Sequence, residues 1–138
     1  MAIKAYSYAK DGSKALSKNF HVREFKCKDG SDPIFIDDEL VALLQKIRDH
    51  FGKAVNINSA FRTASHNAKQ KKAAKYSQHL LGRAADIQVQ DTDPLAVAAY
   101  AESLMPGWGG VGRYPVKAGR AKGWVHVDTR PNRSRWTL

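Results

Sequence analysis

The stretch Ser77-Gln78-His79-Leu80-Leu81-Gly82-Arg83-Ala84-Ala85-Asp86 joins a loop to the start of a predicted strand. His79 comes from the loop and Asp86 from the strand, and Gly82 between them can make the sharp turn that brings the two side chains together. Imidazole nitrogen and carboxylate oxygen are both good zinc ligands. The stretch therefore indicates part of a metal site, although His79 alone also fits a surface or capping residue, and Asp86 alone a charge at a strand end.

A second segment, Gly123-Trp124-Val125-His126-Val127-Asp128, adds another candidate ligand. In a strand, residues 124, 126 and 128 share one face, and the two valines between them face the core. A polar His-x-Asp pair in an apolar strand is costly to bury unless it is paired or bound to a metal. His126 would complete a set of three protein ligands with an open fourth position, which is typical of catalytic zinc sites.

The patterns around these motifs predict the remaining elements. They indicate helices over residues 38–51, 63–71 and 94–104, strands over residues 55–60, 84–89, 109–114 and 124–129, and a loop over residues 72–82. The first helix has Asp37 or Asp38 as its cap and Gly52 after its end, and the last begins at Asp93-Pro94. Strands and helices do not alternate strictly, so we expect an α+β fold with a small, mainly antiparallel sheet flanked by helices.

The domain organisation is predicted to be simple. Residues 1–17 are polar and without periodicity, so we expect an N-terminal arm, followed by one domain over residues 18–138. Phe20, Val22 and Phe25 are expected to dock the start of this domain onto its core.

The composition is that of one globular domain with a strong positive charge. The 138 residues are 43% hydrophobic and 26% charged, which excludes disorder of the whole chain. The net charge of +10 attracts polyanions such as nucleic acids or the anionic polymers of a cell wall. No helix-turn-helix, zinc-finger or aromatic-ladder signature is visible, so nucleic acid is not the expected partner. Cys27 is the only cysteine, which excludes an intramolecular disulfide.

Taken together, the two motifs closely resemble the M15 family of zinc peptidases, over about residues 18–136. The resemblance rests on Ser77-x-His79-x-x-Gly82-x-Ala84-x-Asp86 and on Val125-His126-Val127-Asp128. Supporting segments are Phe20-x-x-x-Glu24-Phe25-x-Cys27, Asn58-Ser59-Ala60-Phe61-Arg62-Thr63, Gly110-Val111-Gly112-Arg113-Tyr114 and Asp128-Thr129-Arg130. The family includes D-alanyl-D-alanine carboxypeptidases and dipeptidases and shares its fold with hedgehog signalling domains, so the resemblance implies that fold and a zinc-dependent cut in peptidoglycan peptides.

The resemblance also implies roles for single residues. His79, Asp86 and His126 would hold zinc, which polarises the scissile carbonyl and lowers the pKa of its bound water toward ~7. Arg62 matches an arginine that the family places beside the metal, where it would stabilise the tetrahedral oxyanion or hold a substrate carboxylate. Ser77 would support the His79 loop or contact substrate, since the family forms no covalent acyl-enzyme.

Aromatic residues of the last two predicted strands are candidates for the substrate cleft. Tyr114 and Trp124 are expected to line it, although aromatic side chains in strands also fit a core position. Trp108 and Trp136 are expected to pack.

The group that takes a proton from water is where this chain departs from the better-known family pattern. Some members carry a Glu three residues before the last His ligand, where this chain has Gly123, and others a His two residues before it, where this chain has Trp124. A branch with a shorter motif also reads Val-His-Val-Asp, so the departure does not imply inactivity. Asp128 is the first candidate for the base, but it equally fits a residue that orients a ligand. His66 is a more distant candidate.

The expected function is hydrolysis of a peptide bond in bacterial peptidoglycan, as a D-Ala-D-Ala carboxypeptidase or a cross-link endopeptidase. The alternative is a non-catalytic, zinc-containing module that binds cell-wall peptides. Residues 1–20 lack the apolar stretch of a secretion signal, and no run approaches the ~20 apolar residues of a membrane span. We therefore expect a protein that is made in the cytoplasm and acts on the cell wall, as a lysin encoded by a phage or prophage would.

Overall fold

The computed structural model describes residues 2–70 and 77–138, which form two β-sheets and several helices. The elements are β1 (Ile3–Ser7), α1 (Tyr8–Asp11), β2 (Pro33–Asp37), α2 (Asp38–Phe51), β3 (Val55–Ser59), α3 (Ala64–Lys69), β4 (Ala84–Val89), α4 (Pro94–Leu104), β5 (Gly110–Tyr114), β6 (Trp124–Asp128) and β7 (Ser134–Thr137). Two short 3-10 helices cover Val22–Phe25 and Gln78–Leu81. The predicted α+β class is confirmed.

The larger sheet has five strands in the order β3-β4-β6-β5-β7. Every neighbouring pair in it is antiparallel except β5 and β7, so the expected mainly antiparallel sheet is confirmed. Strand β6 lies in the middle, with Asp86 of β4 directly opposite His126 on one side and Gly112 of β5 opposite His126 on the other. The register therefore sets three neighbouring strands around one histidine.

Helix α2 forms where its sequence predicts it. The side chain of Asp37 accepts a hydrogen bond from the backbone N–H of Glu39, which caps the first turn. Gly52 follows the last turn in a left-handed conformation, with φ of 64°. The apolar face of the helix is buried, through residues Leu40, Val41, Leu43, Leu44 and Ile47. Helix α4 likewise begins at Pro94 after the Asp93 cap.

The N-terminal part of the chain carries structure that the sequence patterns do not indicate. Residues 3–7, within the expected arm, form β1, and β1 pairs antiparallel with β2 in a separate two-stranded sheet. Phe20, Val22 and Phe25 are buried in the core, as expected. The domain boundary after residue 17 stays a prediction.

Two remaining expectations concern chain segments. The end of the predicted helix 63–71 and the first part of the predicted loop 72–82 fall on residues 71–76, which lie outside the described residues. Within the part of the chain that the structure describes, no helix is both long enough and apolar enough to cross a bilayer.

Candidate metal centre

Three candidate ligands converge on one face of the five-stranded sheet. Asp86 and His126 are paired across β4 and β6, and His79 reaches them from the 3-10 helix that precedes β4. One donor atom from each of the three residues lies within 4.8 Å of the others. His79 and His126 are buried, and Asp86 is half-buried. The structure thus brings together the three side chains that the sequence selects.

The spacing of the donor atoms fits a tetrahedral ion. His79 Nε2 lies 3.4 Å from Asp86 Oδ2, and His126 Nδ1 lies 3.0 Å from Asp86 Oδ1. Ligand bonds of about 2.0–2.1 Å at tetrahedral angles place neighbouring donors roughly 3.3 Å apart. Two imidazole nitrogens and a carboxylate oxygen are also a common donor set of zinc. The residues present therefore fit the metal that the motifs imply.

His79 is held by the Ala60 carbonyl at its ring and by the Ser77 hydroxyl at its backbone N–H. Its Nδ1 lies 2.6 Å from the carbonyl oxygen of Ala60, which can only accept, so Nδ1 carries the hydrogen and Nε2 faces Asp86 with a free lone pair. The hydroxyl of Ser77 accepts a hydrogen bond from the backbone N–H of His79 at 3.2 Å. Ser77 thus caps the 3-10 helix and supports the loop, which is one of the two roles that the sequence leaves open for it.

Gly82 fixes the turn between the loop and β4. Its φ is +73°, and a β-carbon there would lie 2.2 Å from the carbonyl oxygen of Phe35 in β2. Its own carbonyl accepts a hydrogen bond from the backbone N–H of Asp37 at 2.9 Å. Because β2 passes this close, the small N-terminal sheet supports the metal loop, by which we mean residues 77–82 with the candidate ligand His79.

The carboxylate of Asp128 holds His126 from the side opposite Asp86. Asp128 Oδ2 lies 2.7 Å from His126 Nε2, and the side chain of Asp128 is 0% exposed. Arg130 donates to both oxygens of Asp128, from Nε to Oδ1 at 2.8 Å and from Nη2 to Oδ2 at 2.6 Å. Of the two roles that the sequence leaves open for Asp128, these contacts favour orienting His126 over taking a proton from water.

The electrostatics of the site keep its carboxylates ionised. Burial opposes the charge on Asp86, but hydrogen bonds with His126 and His79 outweigh it and hold the pKa of Asp86 well below its usual range. Burial also disfavours a charged His126, yet its contacts with Asp128 and Asp86 raise the pKa of His126 to about 9. In the metal-free protein a proton on His126 therefore offsets two negative groups, in the place where a cation fits.

Arg62 lies beside the three candidate ligands. Its Nη2 is 3.4 Å from Asp86 Oδ2, its Nε donates to the hydroxyl of Ser59 at 3.2 Å, and its Nη1 donates to Asn67 Oδ1 at 3.3 Å. These contacts fix a permanent positive charge at the edge of the site. His66, in α3, has its Nε2 3.1 Å from the side-chain nitrogen of Gln70.

Aromatic side chains form one side of the same sheet face. Tyr114 and Trp124 are paired across β5 and β6, and their rings stack at 4.6 Å. The guanidinium of Arg120 lies 5.3 Å from the ring of Tyr114 and 5.1 Å from that of Trp124. Both rings are half-buried and lie on the strand face that carries His126, as the alternation along β6 predicts.

Two residues near the site were not selected from the sequence. Arg130 binds Asp128, as described above, and the ring centre of Trp136 lies 5.0 Å from that of His126. From the sequence, Trp136 is expected only to pack, because β7 shows no alternation that would reveal its face. The segment Asp128-Thr129-Arg130 is among those that carry the family resemblance, and it was the available signal for Arg130.

Comparison with known proteins agrees with this geometry. No curated protein matches the chain. A family model described as Peptidase M15 matches residues 16–128, which include all three candidate ligands, Arg62 and Asp128. The match covers most of the chain, and the protein therefore belongs to the M15 peptidase family.

Proposed function

We propose that this protein is a zinc-dependent peptidase that hydrolyses a peptide bond in bacterial peptidoglycan. One observation carries the proposal: His79, Asp86 and His126 hold donor atoms within 4.8 Å of one another, in a chain of a peptidase family. Zinc, when bound, would polarise the scissile carbonyl and make an attacking water more acidic. The stem peptides of peptidoglycan are the substrate class that the family resemblance implies.

The residues around the donor set support a hydrolytic role. Arg62 offers a fixed guanidinium next to Asp86, where negative charge would develop on the carbonyl oxygen of a substrate. The half-buried rings of Tyr114 and Trp124, stacked on each other on the strand face that carries His126, offer apolar surface that a substrate can contact. The net charge of +10 favours encounter with an anionic wall.

The test is digestion of purified peptidoglycan and of defined muropeptides, followed by mass spectrometry. We expect a mass change that requires zinc, stops with a chelator and is lost in His126→Ala. His50→Ala is the matched control, because it also removes an imidazole. The ring of His50 lies on the exposed surface of α2, where it stacks on the ring of Tyr100 at 3.7 Å. Release of a single D-alanine would identify a carboxypeptidase, whereas separation of two linked stem peptides would identify an endopeptidase.

A second function, binding of wall peptides without cleavage, is favoured by one observation. Gly123 and Trp124 occupy the positions where other family members carry a proton acceptor, and both oxygens of Asp128 are already bonded. In that case, zinc-loaded protein binds muropeptides tightly and releases no product. Turnover by the zinc-loaded wild type separates the two cases. If it occurs, its loss with retained binding in His66→Ala would identify His66 as the base.

We further propose that the protein reaches the wall as a lysin encoded by a phage or prophage. The net charge of +10, which favours encounter with an anionic cell wall, supports this proposal. Neighbouring holin or tail genes would support it, and a host operon of cell-wall genes would contradict it.

A further inference from the structure

The loop after β6 and the strand β7 contact the candidate metal centre from beyond the matched family segment. That segment ends at residue 128, whereas Arg130 and Trp136 follow it. We propose that Arg130 is a positioning residue of the metal site, which acts on His126 through Asp128 and is itself held by Trp136. The inference rests on the proposed function only in taking His126 as a metal ligand.

The first step is the hydrogen bonding of Arg130 to the carboxylate of Asp128. The guanidinium donates from Nε to Oδ1 at 2.8 Å and from Nη2 to Oδ2 at 2.6 Å, and the backbone N–H of Arg130 donates to Oδ1 at 3.1 Å. Two parallel bonds of this kind fix both the position and the plane of a carboxylate. Because Asp128 is fully buried, its charge depends on these partners.

The second step is the effect of Asp128 on the His126 ring. An ionised carboxylate can only accept, so the 2.7 Å contact between Asp128 Oδ2 and His126 Nε2 requires a hydrogen on Nε2. The other ring nitrogen, Nδ1, then faces Asp86 Oδ1 at 3.0 Å. The carboxylate thus selects the ring orientation, and it selects Nδ1 as the nitrogen that is available to a metal.

The third step is the support of Arg130 by β7. The guanidinium of Arg130 lies 5.4 Å from the centre of the Trp136 ring, within the range of a cation–π contact. Trp136 lies over Gly112 of β5, where a β-carbon would come within 2.5 Å of the indole. The indole N–H donates to the hydroxyl of Tyr114 at 3.1 Å. Trp136 is therefore held in place by its contacts with β5, and its ring limits the movement of the Arg130 guanidinium that lies over it.

The experiment measures zinc affinity of the full chain by competition with a chromophoric chelator. We expect Arg130→Gln to weaken zinc binding by roughly 10–100-fold, the range seen when outer partners of metal ligands are removed. Arg133→Gln, an exposed site in the same loop with the same loss of charge, is expected to bind as the wild type does. Removing a positive charge by itself favours a cation, so a loss confined to Arg130 reports geometry.

Arg130→Lys keeps the charge and loses the two-pronged contact. It is expected to bind zinc more weakly than the wild type, and it carries the test if Arg130→Gln does not fold. Long-range proton–nitrogen NMR of the zinc-loaded protein supplies a readout that a purely structural role would not move. In the wild type we expect the Nε2–H of His126 to give a downfield, slowly exchanging proton signal, because it donates to Asp128 Oδ2. In the folded Arg130 variant we expect this signal to move upfield and to exchange faster.

Wild-type zinc affinity in a folded Arg130 variant, or an unchanged Nε2–H signal of His126 there, would overturn the proposal. Both measurements are independent of peptide cleavage. A protein that binds zinc through this arrangement but cuts no peptide would contradict the proposed function alone. A protein that cuts peptides with unchanged affinity in Arg130→Gln would contradict only the role of Arg130.

Discussion

The close approach of β2 to the metal loop predicts an unusually damaging substitution, Gly82→Ala. Gly82 and Gly52 have similar left-handed backbones, with φ of 73° and 64°, and each follows a helical segment. A β-carbon added at Gly52 would meet no atom within 4 Å, whereas one added at Gly82 would lie 2.2 Å from the oxygen and 2.6 Å from the carbon of the Phe35 carbonyl. Gly52→Ala is therefore a matched control that carries the backbone strain without the collision.

The two substitutions differ by the energy of that collision. Alanine in a left-handed conformation costs about 1–2 kcal/mol at either position. At Gly82 the colliding atoms belong to the backbone of β2 and cannot rotate away, and overpacking of this kind costs about 1–3 kcal/mol more. We therefore expect Gly82→Ala to lower the free energy of unfolding by about 2–5 kcal/mol, against about 1–2 kcal/mol for Gly52→Ala.

Urea unfolding of both variants without metal measures this difference directly. Zinc affinity is the second readout, because displacement of Gly82 shifts the loop that carries His79. We expect weaker zinc binding in Gly82→Ala and wild-type binding in Gly52→Ala. Equal unfolding free energies for the two variants would refute the idea that β2 supports the metal loop.

Three further predictions rest on contacts described above or on single hydrogen bonds. Gly112→Ala should displace the Trp136 indole, since the new β-carbon would lie 2.5 Å from it, and near-ultraviolet circular dichroism would show the change. Arg62→Ala should lower kcat by roughly 100–1,000-fold if its guanidinium stabilises the oxyanion, whereas a rise in KM alone would indicate a substrate carboxylate instead. Thr63→Val should raise the pKa of Asp29, because the Thr63 hydroxyl donates to that carboxylate at 2.7 Å and holds its pKa below the usual 3.8. The Asp29 contribution to stability is present above pH 3.8 and is lost as the pH falls below it, so carboxyl NMR titration and acid unfolding of wild type and variant give the check.

The parts of the fold that could be predicted are those whose own sequence has a periodic pattern of apolar residues and a residue type that marks where the helix or strand begins or ends. Helices α2 and α4 combine a capping aspartate with an apolar face, and β4 begins and ends at the residues expected from its pattern. Strand β2 begins at Pro33, after a run of turn residues, and the four residues of β7 show no alternation. These strands form because a neighbouring strand pairs with them, which the local sequence does not reveal.

The candidate site likewise has residues that the sequence reveals and contacts that only the structure reveals. Side chains with characteristic chemistry, such as His79 and His126, stand out in a sequence and are found together in the structure. The Ala60 carbonyl that orients His79 belongs to a backbone group, which no residue type reveals. Trp136 reaches His126 only through the parallel pairing of β7 with β5, a long-range contact that its own position along the chain does not indicate.

Asp37 connects the loop that carries His79 to distant parts of the chain, so we expect the metal site to form only when the whole domain folds. Its backbone N–H donates to the carbonyl of Gly82. Its carboxylate accepts from the backbone N–H of Glu39 and from the hydroxyl of Thr129, which lies 92 positions later in the sequence. Contacts of such long range form only after large loops have closed, which places them late in folding. A nascent chain or fragment that ends before β6 would lack both the third ligand and this connection. We therefore expect metal capture late in folding, with amide exchange in the segment that carries His79 as slow as global unfolding.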